Sequence, residues 1–238
     1  EFYRYLNVAS QRSATGICTP VTQWLSSKSV VDFGCGQGAW LSVWKKLGAQ
    51  EVAGLDGPYI DRSRLLIEPI DFHPSDLSKP IDLGRRFDLV MSVEVAEHLP
   101  ESAANTFVDN LVRHGDAVLF SAALPGQLGE HHVNEQPFEY WRDKFSERGF
   151  VLFDPIRPRV QSDLSIEVCY RHNCLLFVHK NKLAELPAAI LATRVAEGAP
   201  IRSYAPIWFR TLLRATSKMP VWMNHGFALL DKRLTVRG

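Results

Sequence analysis

The chain has 238 residues, 46% of them hydrophobic and 22% charged, a balance that excludes fibrous and disordered classes and supplies one core of ordinary domain size with an appendage. No apolar run approaches the ~20 residues that span a bilayer, so an integral membrane protein is not expected. The net charge of +1 is unevenly spread: residues 1–182 carry 19 basic and 23 acidic side chains (net −4), and residues 183–238 carry 8 and 3 (net +5).

In chain order, the apolar spacing predicts a helix over 15–26, a strand over 29–33 and a helix over 39–47 that closes at Gly48. Strands follow near 51–55, 70–73, 87–92 and 116–121, with a helix over 103–113 between the last two. Residues 122–136 read as a long loop, 138–148 as a helix ended by Gly149, then a strand from Phe150 and a last strand over 173–179. Strands alternating with helices predict an α/β fold with a doubly wound, mostly parallel sheet. Beyond residue 182 the strand pattern stops. A helix is expected over 188–197, and further helical segments after Pro206 and Pro220 carry Trp208, Phe209, Leu212, Leu213, Trp222, Met223, Phe227, Leu229 and Leu230. The domain division is therefore 1–182, with an N-terminal cap helix, and 183–238, a helical basic and apolar appendage. Its faces suit packing on the core or on a second subunit, as in a homodimer, or peripheral contact with an anionic membrane surface.

No signal-peptide pattern opens the chain, which begins at Glu1 rather than Met. Cys18, Cys35, Cys169 and Cys174 form no Cys-x-x-Cys pair and no zinc spacing, so reduced thiols and a cytoplasmic location are expected.

The most informative stretch is Val30-Val31-Asp32-Phe33-Gly34-Cys35-Gly36-Gln37-Gly38. An apolar strand ends in an acid, and three alternating glycines lead into a helix. Such a turn brings backbone against a nucleotide-like ligand at the carboxyl end of a strand. The spacing Asp-x-Gly-x-Gly-x-Gly does not meet the dinucleotide fingerprint, whose third glycine comes one residue later. Asp56 ends the second strand, Asp76-Leu77 follows the third, and Glu94-Val95-Ala96-Glu97-His98-Leu99 follows the fourth.

This ordered set resembles the class I S-adenosylmethionine-dependent methyltransferases over roughly residues 25–180. The resemblance implies a seven-stranded Rossmann-like methyltransferase fold with S-adenosyl-L-methionine as cofactor. Gly34, Gly36 and Gly38 would lie against its methionine and ribose, and Asp32 would orient the turn or meet the ammonium through water. Asp56 would accept from the ribose hydroxyls. Asp76 would face the adenine amino group, Leu77 would pack on the ring, and Glu94 would also border the cofactor. The phrases Asp61-Arg62-Ser63, Phe120-Ser121-Ala122-Ala123-Leu124-Pro125-Gly126-Gln127 and His132-Val133-Asn134-Glu135-Gln136-Pro137, with Arg12-Ser13, look like a bacterial group of small methyltransferases associated with glycan and natural-product biosynthesis. That likeness implies a sugar or small-metabolite hydroxyl as acceptor.

A hydroxyl acceptor needs a base, and histidine titrates in the useful range. His131 and His132, in the loop after the fifth strand, are the favoured catalytic residues together with Glu94; Glu97, His98, Asn134 and Glu135 are assigned to the substrate. No metal is expected. The alternative set Glu94, Glu97, His98 and His131 resembles the small-RNA 3′-terminal 2′-O-methyltransferases, which hold Mg²⁺ with such residues, and the ubiquinone-pathway O-methyltransferases. Two further functions fit the same cofactor site: a cyclase releasing methylthioadenosine, and a non-catalytic binding module. Nucleic acid is the less favoured acceptor, because an acidic core and the thinly spread Arg194, Arg202, Arg210, Arg214, Lys218, Lys232, Arg233 and Arg237 make no basic stripe.

Overall fold

Side chains alternate faces along a strand, and the apolar runs of this chain are long enough to bury both. In the computed structural model, which describes residues 2–127 and 129–217 (side chains from Asn7 onward), β1 (Ser29–Phe33), β2 (Glu51–Asp56), β3 (Phe72–Pro74), β4 (Leu89–Val93), β5 (Ala117–Ser121), β6 (Phe150–Phe153) and β7 (Leu175–His179) form one sheet. Its order is β3-β2-β1-β4-β5-β7-β6. The pairs from β3 through β5 are parallel, and β7 runs antiparallel to both β5 and β6. The expected doubly wound, mostly parallel sheet is thus present.

Val30, Leu89, Met91, Leu119 and Leu176 bury against α1 (Phe2–Val21) and α2 (Ala39–Lys46), with Trp44 fully enclosed. Val31, Val90, Val118 and Phe120 point to the opposite face, toward α3 (Ala104–His114) and α4 (Phe138–Ser146). There Phe145 stacks on Phe177 with centroids 4.1 Å apart. Each such buried side chain contributes about 1.5–3 kcal/mol, so both layers are firmly held.

The N-terminal helix starts earlier than its spacing predicts, at Phe2, and ends at Val21. Short helices α5 (Arg157–Val160) and α6 (Val168–Asn173) connect β6 to β7. In the appendage, the helix expected over 188–197 is confined to α7 (Ala188–Leu191). Residues beyond it turn extended and join the open edge of β6: Asp154 N–H donates to Thr193 O (3.0 Å) and Val195 N–H to Leu152 O (3.0 Å). An edge strand with unpaired backbone groups outcompetes the weak local helix preference of Thr193 and Val195. α8 (Ile207–Thr216) follows Pro206 as expected. The segment expected to be helical after Pro220, and Lys218, Lys232, Arg233 and Arg237, lie outside the described residues.

No helix among the described residues is long and apolar enough to cross a membrane.

Candidate active site

The parallel strands all release their chain at one edge, where loops after β1, β2, β3, β4 and β5 surround a cleft of about 780 Å³. That volume lies within the ~300–1,000 Å³ usual for small-molecule sites. Two smaller hollows, of about 320 and 370 Å³, open at the other end of the sheet and are lined largely by side chains already paired, such as Arg86 with Asp116 and Arg85 with Glu51.

One half of the cleft is built around the glycine turn. Gly34 N–H and Cys35 N–H both donate to Leu55 O, at 2.7 and 3.1 Å, which ties the turn to the end of β2. Gly34 sits at φ +94°, and a Cβ there would lie 2.3 Å from Val95 Cγ2. Gly36, at φ +54°, has nothing within 4 Å of where its Cβ would be. That open space is a cradle which any side chain would fill. Gly38 is the N-cap of α2.

Asp56 is buried and fixed by three donors: Gly36 N–H on Oδ2, and Gly57 N–H and the Tyr59 hydroxyl on Oδ1, each at 2.7 Å. The Tyr59 hydroxyl therefore occupies an acceptor position of this carboxylate at the cleft. Burial, and then the bond to Asp56, push its phenol well up. Asp32 is also buried, and its carboxyl is pushed up to about 8, by burial first and by Asp56 second. Asp76 is exposed at the rim; its Oδ1 accepts from Ser78 N–H (3.0 Å) and Oγ (2.6 Å), bonds that lower its pKa. Leu77 beside it is buried and lends the cleft an apolar wall. A buried acid at the end of β2, open glycine backbone and a leucine wall fit S-adenosylmethionine.

The other half comes from residues 94–99 and 122–136. Glu94 lines the cleft at φ +55°, and its N–H donates to both Ser121 O and Ser121 Oγ at 3.1 Å. Its carboxylate accepts from Gln127 Nε2 (2.6 Å) and Asn173 Nδ2 (3.2 Å), and Asn173 Nδ2 also donates to Gln127 Oε1 (2.7 Å). Burial raises the Glu94 pKa against the pull of these bonds. Gln127 and Asn173 have no role in the sequence-based site. A lone amide carries no spacing signature, so only the fold reveals them.

Glu97 is fully buried, and neither carboxylate oxygen has a hydrogen-bond partner. Burial first, and then the neighbouring Glu94 carboxylate, push its pKa well up. Its backbone oxygen accepts from Val133 N–H (2.8 Å) and Asn134 N–H (3.0 Å), joining the two loops. His98 lines the cleft and meets the His132 ring edge-on, with centroids 4.9 Å apart. His132 Nδ1 lies 2.8 Å from Glu135 Oε1, and Glu135 Oε2 accepts from Gly126 N–H (2.6 Å). His131 lines the cleft at φ +61°. Asn134 is buried, its Oδ1 accepting from Gln136 Nε2.

Glu94, His98 and His131 therefore reach the cleft wall. Glu97 and Asn134 lie buried behind it, and the His132–Glu135 pair is nearly enclosed. Glu97, His98 and His132 each offer a ligand atom within 4.8 Å of the others. Glu94 and His131 are not in that group.

Burial, and then His132, bring His98 down to about 4; burial and the adjacent Arg171 and Arg157 do the same to His172. Both are neutral when folded at pH 7, but in the unfolded chain they gain protons below about 6.5. Between those values the unfolded state binds more protons, so stability falls as pH drops from about 6.5 to 4. We expect the melting temperature to fall across this window, and His172→Phe to flatten part of the fall. An unchanged profile in that variant would exclude His172 as a contributor.

The sheet order, the glycine turn and the acid after β2 define a Rossmann-like fold with its nucleotide-cofactor cleft at the carboxyl edge. A family described as "Methyltransferase domain" matches residues 12–155, more than half of the chain. The chain belongs to this methyltransferase family, whose cofactor is S-adenosylmethionine. It is 34% identical over 87 residues to a ubiquinone biosynthesis O-methyltransferase of Methylobacterium sp. (strain 4-46), covering 34% of each chain. It is 30% identical over 153 residues to a ribosomal protein L11 methyltransferase of Cupriavidus metallidurans, covering 60% of this chain and 49% of the relative. The chain thus spans between a third and half of the length of these relatives. Among solved structures, Streptomyces venezuelae DesVI superposes with TM-score 0.56 at 14% identity, covering 74% of this chain and 96% of that one. The magnesium protoporphyrin IX methyltransferase (ChlM) of Synechocystis PCC 6803 with bound S-adenosylmethionine gives 0.52 at 19%, covering 73% and 81%. Both share the fold.

Proposed function

We propose that this protein methylates a hydroxyl of a sugar or other small metabolite. The observation that carries this reading is the His98–His132–Glu135 series on the acceptor side, a proton-accepting arrangement that an oxygen nucleophile requires. The bound cofactor supplies a methyl group already activated on a sulfonium. Asp56 holds the ribose, and the bare backbone at Gly36 admits the cofactor close to the turn. Asp32 orients the turn or meets the methionine ammonium through water. Glu135 fixes His132 with Nδ1 as the protonated nitrogen, and His132 backs His98, the imidazole of the two that lines the cleft and can meet an acceptor proton. Neutral His98 forms the wall against which the acceptor hydroxyl is positioned. Glu94, held by Gln127 and Asn173, presents a polar floor to the acceptor. The O-methyltransferase name of the Methylobacterium relative favours oxygen as the accepting atom, and the likeness to glycan-associated bacterial methyltransferases favours a saccharide. Residues 1–182 form the cofactor-binding unit in this proposal. Residues 183–238 are an appendage, of which Leu186, Ile190 and Ile201 bury in the two cores.

Incubation with S-adenosylmethionine and cell extract, followed by mass spectrometry, tests the proposal. S-adenosylhomocysteine formed only with extract, alongside a small product heavier by one methylene, is the expected result. Methylthioadenosine formed without an acceptor would establish the cyclase instead, and a methylated RNA terminus would establish RNA as acceptor.

A second reading is favoured by Glu97, whose two buried oxygens lack partners beside His98 and His132. One carboxylate with two imidazoles suits Mn²⁺ or Zn²⁺ and admits Mg²⁺. In that case the cation, not an imidazole, would activate the acceptor hydroxyl. Full activity in a chelator supports the imidazole base; loss of activity, restored by Mn²⁺ or Mg²⁺ together with a rise in melting temperature, supports the cation.

A further inference from the structure

α8 has two unlike faces. Phe209 and Thr216 are buried: Phe209 lies 6.2 Å, ring to ring, from the enclosed His172, and Thr216 Oγ1 donates to Gly126 O. At 100° per residue, the outward arc carries Ile207, Trp208, Thr211, Leu212 and Ala215, with Arg210 and Arg214 along one flank. Ile207 is 74% exposed, Trp208 61% and Leu212 40%, which is unusual company for a face that meets only water. Arg210 and Arg214 are exposed and make no ion pair with any described residue.

We propose that this outward face docks on an anionic lipid bilayer. A tryptophan and aliphatic residues flanked by arginines match the headgroup–acyl boundary, where an indole sits half-immersed and guanidinium groups meet lipid phosphates. The charge is complementary, since residues 183–238 carry a net +5 whereas the preceding 182 residues carry −4. Attraction to an anionic surface therefore turns the appendage, not the core, toward the lipid. A nucleic-acid strand would use the arginines but leave Ile207 and Leu212 without a partner. The foot of α8 rests on Gly126, whose N–H holds Glu135, so a docked helix is braced against the loop that orients His132.

The test is co-sedimentation of the full chain with vesicles of phosphatidylcholine alone and of phosphatidylcholine mixed with phosphatidylglycerol. Binding to the mixed vesicles only, weakened by added salt, is expected. Each arginine near such a surface contributes about 1 kcal/mol, so R210Q/R214Q lowers the partition coefficient by roughly 30-fold. Trp208→Ala weakens binding while leaving the salt dependence in place. Melting temperature and S-adenosylmethionine affinity at wild-type values show that the variants are folded. Absence of binding to mixed vesicles overturns the proposal, as does equal binding by R210Q/R214Q. A dimer in sedimentation velocity that Trp208→Glu dissociates would assign the face to a second copy. Retention of a single-stranded RNA probe without vesicle binding would assign it to nucleic acid.

Discussion

His132→Ala is expected to lower the turnover number by about 10²–10⁴ while leaving S-adenosylmethionine affinity within twofold of wild type. The imidazole is fixed from two sides, by Glu135 at 2.8 Å and by the His98 ring, so its loss leaves His98 without its support. Glu135→Gln keeps the volume but removes the carboxylate that orients the ring. Its turnover should fall less than that of His132→Ala. His131→Ala serves as the comparison, because His131 lines the cleft without belonging to the His98–Glu97–His132 group. The rates are measured with the acceptor found by product analysis. Wild-type turnover in both His132→Ala and His98→Ala would remove the imidazole pair from the chemistry.

The second large effect separates two glycines that look equivalent in the sequence. Gly34→Ala places a Cβ 2.3 Å from Val95 Cγ2 at a φ that L-residues avoid, so the turn or the segment after β4 must move. Overpacking and backbone strain together are expected to cost about 3 kcal/mol. A Gly34→Ala/Val95→Ala double variant should recover part of that loss, leaving the strain at φ. Gly36→Ala meets no atom within 4 Å, and its fold should lose only about 1 kcal/mol. Its methyl group instead projects into the cradle and should abolish cofactor binding. Urea unfolding and calorimetric titration with S-adenosylmethionine distinguish the two. Equal stability of the two alanine variants would mean that the turn is not held against Val95.

Much of this architecture was legible in the residues, and for a physical reason. Buried parallel strands must be apolar on both faces, so Val30-Val31 and Leu89–Met91 announce themselves, and Gly34 and Gly36 mark backbone that no other residue can replace. Asp56, expected at the ribose, lies at the cleft and is held by Gly36, Gly57 and Tyr59. What stayed hidden depended on distant partners. The extended stretch after α7 follows from the vacant edge of β6, which lies some 40 residues back in the chain. The amides of Gln127 and Asn173 matter only because Glu94 lies between them. The sequence places Glu94, Glu97, His98 and His131 in one candidate group, whereas the fold brings His132 to Glu97 and His98, because His131 in its left-handed conformation turns toward the cleft.

The two loops on this side of the cleft share main-chain fastenings, Val133 and Asn134 N–H on the Glu97 carbonyl between them and Gln136 N–H on the Ala123 carbonyl within the second. Such fastenings are indifferent to which side chain stands at each position. Descendants of this chain can therefore exchange residues that face the cleft while these main-chain ties keep their places, so new specificities can be tried without first surrendering the scaffold that presents them.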